Sequence, residues 1–109
     1  MLAKKHRLPA TINTKHFFTF PGNLFNLKIG ENKIKESRFG FIVAKSIDKR
    51  ATARNRLKRQ FRRFIEENYS KIKPGHDFLF KIKMEAKNQK TKDIHGNIKE
   101  VFKKEGLIE

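Results

Sequence analysis

Nineteen residues of this chain, Lys45 to Arg63, hold nine Lys or Arg and a single acid, Asp48. That is +8, half of the formal charge of +16 carried by all 109 residues. A guanidinium offers a planar fork of donors that matches phosphate oxygens, and pH does not remove its charge. Several such groups on one rigid element can follow a phosphate backbone and release its condensed counterions. A merely solvated helix face would alternate sign for i,i+4 support. Here the only acids of the helix that holds this run, Glu66 and Glu67, come near its C-terminal end. Acids at that end and arginines at the other both oppose the helix dipole. Helix stability therefore does not account for the pattern, and contact with a polyanion does.

Other chemistries find no comparable constellation. His6, His16, His76 and His95 are scattered over separate segments without metal-ligand spacing. With no Cys there is neither a disulfide framework nor a thiolate metal site. Gly-rich phosphate loops, nucleophile elbows and paired carboxylates are missing. His76-Asp77 reads as a turn and strand start rather than a catalytic pair. No run approaches the ~18 apolar residues of a membrane span, and no apolar stretch follows the basic N-terminus. The expectation is a cytoplasmic protein with no membrane and no small-molecule substrate.

The elements that must position the basic stretch follow from periodicity. The length suits one domain, 1–109. Hydrophobic residues make up 37%, with 11 Phe and no Trp, so the core must be small and largely built of phenylalanine. A short helix fits between Pro9 and Pro21, with Asn13 as its cap and Phe17 and Phe18 near its end. Asn23 to Ile29 alternates as a strand, with Phe25, Leu27 and Ile29 on one face. Gly30 to Glu36 reads as a hairpin loop. Arg38 to Ala44 is apolar on both faces, which places it centrally in a sheet.

Thr52 to Tyr69 reads as a long helix with Ala53, Leu57, Phe61, Phe64 and Ile65 in one apolar stripe. Asn55, Arg56, Arg59, Arg62 and Arg63 fall opposite that stripe, Lys58 on its flank, and Arg54 snorkels at the N-terminal edge. Asp77 to Lys83 is a further strand. Thr91 to Lys104 carries Ile94, Ile98, Val101 and Phe102 at helical spacing. The order is helix, strand, strand, helix, strand, helix: an α+β fold with helices packed on a small mixed sheet.

The run Ala53-Arg54-Asn55-Arg56-Leu57-Lys58-Arg59-Gln60-Phe61-Arg62-Arg63-Phe64 resembles the Arg-Asn-Arg signature of the protein subunit of bacterial ribonuclease P. The preceding Arg38-Phe39-Gly40-Phe41-Ile42-Val43-Ala44-Lys45-Ser46, the basic Lys49-Arg50-Ala51 and the later Pro74-Gly75-His76-Asp77 fit the same family. The resemblance covers Arg38 to Lys83 closely and the two ends loosely.

The resemblance implies a cofactor of a catalytic RNA, which removes the 5′ leader of precursor transfer RNA with Mg²⁺ held mainly by RNA. The protein itself would break no bond. Its partners would be ribonuclease P RNA and precursor transfer RNA, with no protein partner required. Lys45, Ser46, Lys49, Arg50, Arg54, Asn55, Arg56, Lys58, Arg59 and Arg62 would bind the catalytic RNA. The single-stranded leader would lie in a cleft between the sheet and the N-terminal helix. Phe17, Phe18, Phe25 and Phe39 are its candidate stacking platforms. Of the family's Phe pair the second falls on Phe18 and the first on Thr14, and a core role for Phe18 is the competing reading. The implied fold is like the second domain of ribosomal protein S5, with a left-handed crossover around the motif helix.

The alternative function is a structural ribosomal protein bound to ribosomal RNA, which would share the charge, the small core and the layout. A helix-turn-helix DNA reader and a membrane-surface helix fit less well, because strands flank the charged helix.

Overall fold

Alternation decides which strand residues meet the helices. In the computed structural model, which describes residues 4–9 and 12–108, β2 (Phe25–Glu31) buries Phe25, Leu27 and Ile29. Strand β4 (His76–Ile82) turns Phe78, Phe80 and Ile82 to the same side. It pairs antiparallel with β2 and parallel with β3 (Arg38–Ile42), while β1 (Phe18–Phe20) extends β2. The sheet order is β1-β2-β4-β3.

Both helices cover one face of this sheet. Helix α1 (Ala51–Asn68) buries Leu57, Phe61, Phe64 and Ile65, and α2 (Thr91–Lys104) buries Ile94, Ile98 and Phe102. The rings interlock: Phe61 meets Phe25 edge-on at 5.6 Å, and Phe102 stacks on Phe78 at 5.8 Å. Such ring pairs add about 0.5–1.5 kcal/mol each beyond simple burial, so a core poor in aliphatic residues still holds its helices.

Three expectations change. The Gly30–Glu36 segment is no hairpin, because β4 lies between β2 and β3. Strand β3 is an edge strand rather than a central one. On its outer edge it meets a one-residue parallel bridge, Arg7 to Phe39, and its second face is covered. The second cover is the N-terminal segment: Leu8 N donates to Phe39 O at 2.9 Å, and the Leu8 side chain packs over Gly40. The centre of the sheet belongs to β4, where Asp77, Phe78, Leu79 and Phe80 are all buried.

The third change is the N-terminal helix. Among the described residues before α1 there is only a short 3₁₀ turn, Lys4–His6. Asn13 does use its side chain, but Oδ1 accepts from Lys15 N at 3.0 Å, two residues on, which makes an Asx turn rather than a helix cap. The following Phe-Thr-Phe has the composition of a strand and becomes β1. The observed order is therefore strand, strand, strand, helix, strand, helix.

A buried fork sets the register of the parallel pair. Arg38 Nε donates to Asp77 Oδ1 at 2.8 Å and Nη2 to Oδ2 at 2.7 Å. Asn32 Nδ2 adds a third bond to Asp77 at 3.0 Å. Asp77 is 2% exposed. Ser37 continues the seam, donating to Lys73 O and accepting from His76 N. Replacing Asp77 by Asn would keep the shape and strand the Arg38 charge, so we expect a loss of about 3 kcal/mol in urea unfolding. A loss under about 0.5 kcal/mol, the scale of an ordinary surface substitution, would show that the fork does not hold β3 on β4.

Candidate nucleic-acid interface

The chain leaves β3 at Ile42 and reaches α1 through a loop built around one carboxylate. Val43 and Ile47 anchor the loop in the core. Asp48 then accepts from the backbone N of Arg50 at 3.0 Å and from that side chain's Nε at 3.2 Å and Nη2 at 3.1 Å. Lys87 Nζ approaches the same carboxylate at 3.4 Å and donates to Ile47 O at 3.2 Å. Arg54 Nη1 closes the loop from the helix side, 2.9 Å from the carbonyls of both Asp48 and Lys49. The Arg50 bonds, aided by Lys87, hold the Asp48 carboxyl far below the usual carboxylate range.

Around this clamp Lys45, Ser46, Lys49, Arg50, Asn55, Arg56 and Arg59 are exposed. Arg54, Lys58 and Arg62 are half-buried. Two of these do structural work as well. Arg54 is tied to the loop carbonyls, and Arg62 lies over the Phe41 ring with its guanidinium carbon 5.7 Å from the centroid. Arg63 is exposed and shares a groove wall with Arg56 and Arg59, so the outward stripe is Arg56, Arg59 and Arg63.

The four aromatic candidates separate. Phe25 and Phe39 are 0% and 2% exposed. Phe25 packs on Phe61 and Phe80, and Phe39 on Phe78 and Tyr69. Neither ring has a face to offer a base, so both are core and not stacking platforms. Phe18 is 75% exposed, which excludes a core role. Its partner Ile29 in the ladder places it on the helix-bearing side of the sheet, at the outer edge. Phe17 covers the opposite side, where its ring sits against Gly30 so closely that a Cβ there would lie 2.4 Å from it.

That opposite side also carries two lysines absent from the expectation. Lys28 and Lys81 lie diagonally across the β2–β4 ladder. A hydrogen bond from Lys81, together with its charge, lowers the pKa of Lys28. Two lysine amines diagonal to each other on one sheet face favour an anion beside them. Three of the four histidines serve the fold: His6 stacks on Tyr69, His76 Nδ1 lies 2.7 Å from Pro74 O, and His95 Nε2 lies 2.8 Å from Gln60 O. No helix of the described residues is long and apolar enough to cross a membrane.

An arginine-striped helix on one side of a small α+β sheet, with paired lysines on the other, defines a small basic α+β protein with cationic groups on both faces. The sequence model of the Ribonuclease P family matches residues 2–106, and the chain belongs to that family. It is similar to the ribonuclease P protein component of Fusobacterium nucleatum, 37% identical over 91 residues, 80% of this chain and 81% of that one. The Synechocystis protein component is 30% identical over 113 residues, covering 94% and 91%. Among solved structures, the Staphylococcus aureus RNase P protein superposes with a TM-score of 0.79 at 25% identity, over 87% of this chain and 86% of that one. The Thermotoga maritima RNase P protein shares the fold, with a TM-score of 0.75 over 83% and 84%. Membership makes this chain a subunit of a tRNA-processing endonuclease, with the RNA of ribonuclease P as its partner.

The clamp makes a direct prediction. A carboxyl whose folded pKa is depressed stabilises the fold above its ordinary value, near 3.8, and loses that contribution as pH falls through the lowered folded value. The Asp48 carboxyl should therefore remain ionised well below pH 3.8 in a carbon-detected NMR titration. Asp48→Asn should speed amide exchange in residues 44–50 several-fold while the core amides of β4 stay protected. Unchanged exchange in the loop would contradict the clamp.

Proposed function

We propose that α1 and its N-terminal loop hold the catalytic RNA, and that the opposite sheet face takes the 5′ leader of precursor transfer RNA. The exposed stripe Arg56, Arg59 and Arg63 is the observation that carries the first half. Three guanidinium groups on one rigid turn-to-turn line can each meet a phosphate. Lys45, Ser46, Lys49, Arg50 and Asn55 extend this surface around the start of α1, with Lys58 on its flank. Arg54 and Arg62 support it mainly by holding the loop and Phe41.

The second half rests on Phe17, Lys28 and Lys81. A single strand needs a ring for its bases and cations for its backbone, and this face brings both together. Phe18, exposed at the same strand edge, adds a second ring as the leader turns off the sheet. Bond cleavage belongs to the RNA in this reading, and so do the Mg²⁺ ions. No step is assigned to a protein-bound metal in this reading. The work is placed in the cytoplasm, and no protein partner is needed for it.

Two experiments separate the surfaces. Replacing Arg56, Arg59 and Arg63 together by Ala should flatten the slope of log affinity against log salt, for ribonuclease P RNA, by about 2–3. Thermal stability should hardly move, whereas Arg62→Ala should lose about 0.5–1 kcal/mol with its ring contact. An unchanged slope would remove the arginine stripe from the interface. On the other face, Lys28→Ala with Lys81→Ala should weaken precursor binding at least several-fold and leave mature transfer RNA, which lacks the leader, unaffected. Equal losses for both substrates would refute the leader assignment.

A further inference from the structure

A groove of about 710 Å³ runs between the first half of α1 and the segment 87–91. It is tied at both ends. At one end Lys87 Nζ reaches Ile47 O at 3.2 Å and the Asp48 carboxylate at 3.4 Å. At the other, Gln60 Nε2 donates to Thr91 Oγ1 at 3.1 Å. Between the ties the apolar lining of the floor is Ala53 with the outer edges of the buried Val43 and Leu57, beside the polar Thr52, Asn88 and Gln89. At the rim, Arg50 and Arg56 on the helix bank and Lys90 on the loop bank bring cations to the groove, and the Asp48 carboxylate, paired with Arg50, lines it as well.

Floor and rim ask for different things of a ligand. Phosphates alone would use the rim and gain nothing from Val43 and Leu57. A hydrocarbon would use the floor and gain nothing from three cations. An unpaired nucleotide satisfies both, with a flat base for the floor and a phosphate on either side for the rim. The groove's size falls within the range of small-ligand pockets, roughly 300–1,000 Å³. RNA is read mainly through such splayed-out bases, which stack on side-chain planes including those of arginine.

We propose that this groove captures one extruded nucleotide of the catalytic RNA, its base on the Val43–Ala53–Leu57 floor and its flanking phosphates on Arg50, Arg56 and Lys90. The proposal rests on the reading of α1 as the catalytic-RNA surface and adds base capture to phosphate tracking. The α1 stripe then supplies affinity and the groove supplies register.

The test is a methyl-detected NMR titration of the wild-type chain. The probes are adenosine 5′-monophosphate and uridine 5′-monophosphate, against inorganic phosphate and ribose 5-phosphate at equal concentration. The nucleotides should shift the methyl signals of Val43 and Leu57, and the two base-free anions should not. Equal shifts from all four probes, or none at these methyls, would overturn the proposal. Ala53→Leu fills the floor without touching a charge. If its melting curve is native-like, affinity for ribonuclease P RNA should fall about 5- to 10-fold at an unchanged salt slope. Full affinity in that folded variant would also overturn base capture, leaving phosphate contact intact. Should Ala53→Leu not fold, the wild-type titration decides alone. If the wild-type chain did not bind ribonuclease P RNA at all, the underlying reading would fall with the proposal.

Discussion

The paired Arg38 and Asp77 side chains fix which strands are neighbours, and the rest of the molecule follows from that. Strands β3 and β4 are parallel and adjacent, so the chain between them must cross over the sheet, and α1 is the body of that crossover. A one-residue slip of β3 in this pairing would turn Phe39 and Phe41 away from the helix side. The fork opposes Arg38 directly to Asp77 in the ladder, and its two bonds of 2.7 and 2.8 Å tolerate no such slip. The position of α1, and with it the arginine stripe, is thus set by a charge pair on the other side of the helix's own packing.

The same chain uses its scarce acids as fasteners. Asp77 locks the sheet and Asp48 locks the loop before α1, each holding cations in a defined shape. The remaining acids are too few to balance the 27 Lys and Arg. Lys28 and Lys81 repel each other on one surface, and the first turn of α1 has no acid to match its dipole. In the proposed reading a phosphate of one RNA would relieve the first strain and a phosphate of the other RNA the second. Any anion that binds only the folded form would also stabilise it.

Much of this was legible in the residue pattern, and the rest failed for a physical reason. Helix α2 begins and ends where Ile94, Ile98, Val101 and Phe102 predict, and α1 differs by one residue at each end. Those elements are decided by local period and need no knowledge of partners. Strand order is decided by pairings across tens of residues, and the two apolar faces of Arg38–Ala44 carried no sign that Leu8 would supply the second cover. Phenylalanine was ambiguous for the same reason. Phe25, Phe39, Phe17 and Phe18 look alike in sequence, yet two are core, one packs on a glycine and one stands in solvent. Lys28 meets Lys81, and Asp48 meets Lys87, only once β2, β4 and the loops are in place. The arginine face was readable because it lies on one helix. The lysine face and the groove were not, because each is assembled from distant segments.

The central claim is that two opposite surfaces hold two different RNAs. The natural chain contains no cysteine, so a single introduced thiol places a photo-activated cross-linker uniquely. Arg59→Cys and Lys28→Cys, each carrying the same short cross-linker, would be irradiated in the assembled complex of this protein, ribonuclease P RNA and precursor transfer RNA. The account predicts attachment from position 59 to the catalytic RNA and from position 28 to the 5′ leader. Leader attachment from position 59, or catalytic-RNA attachment alone from position 28, would contradict it.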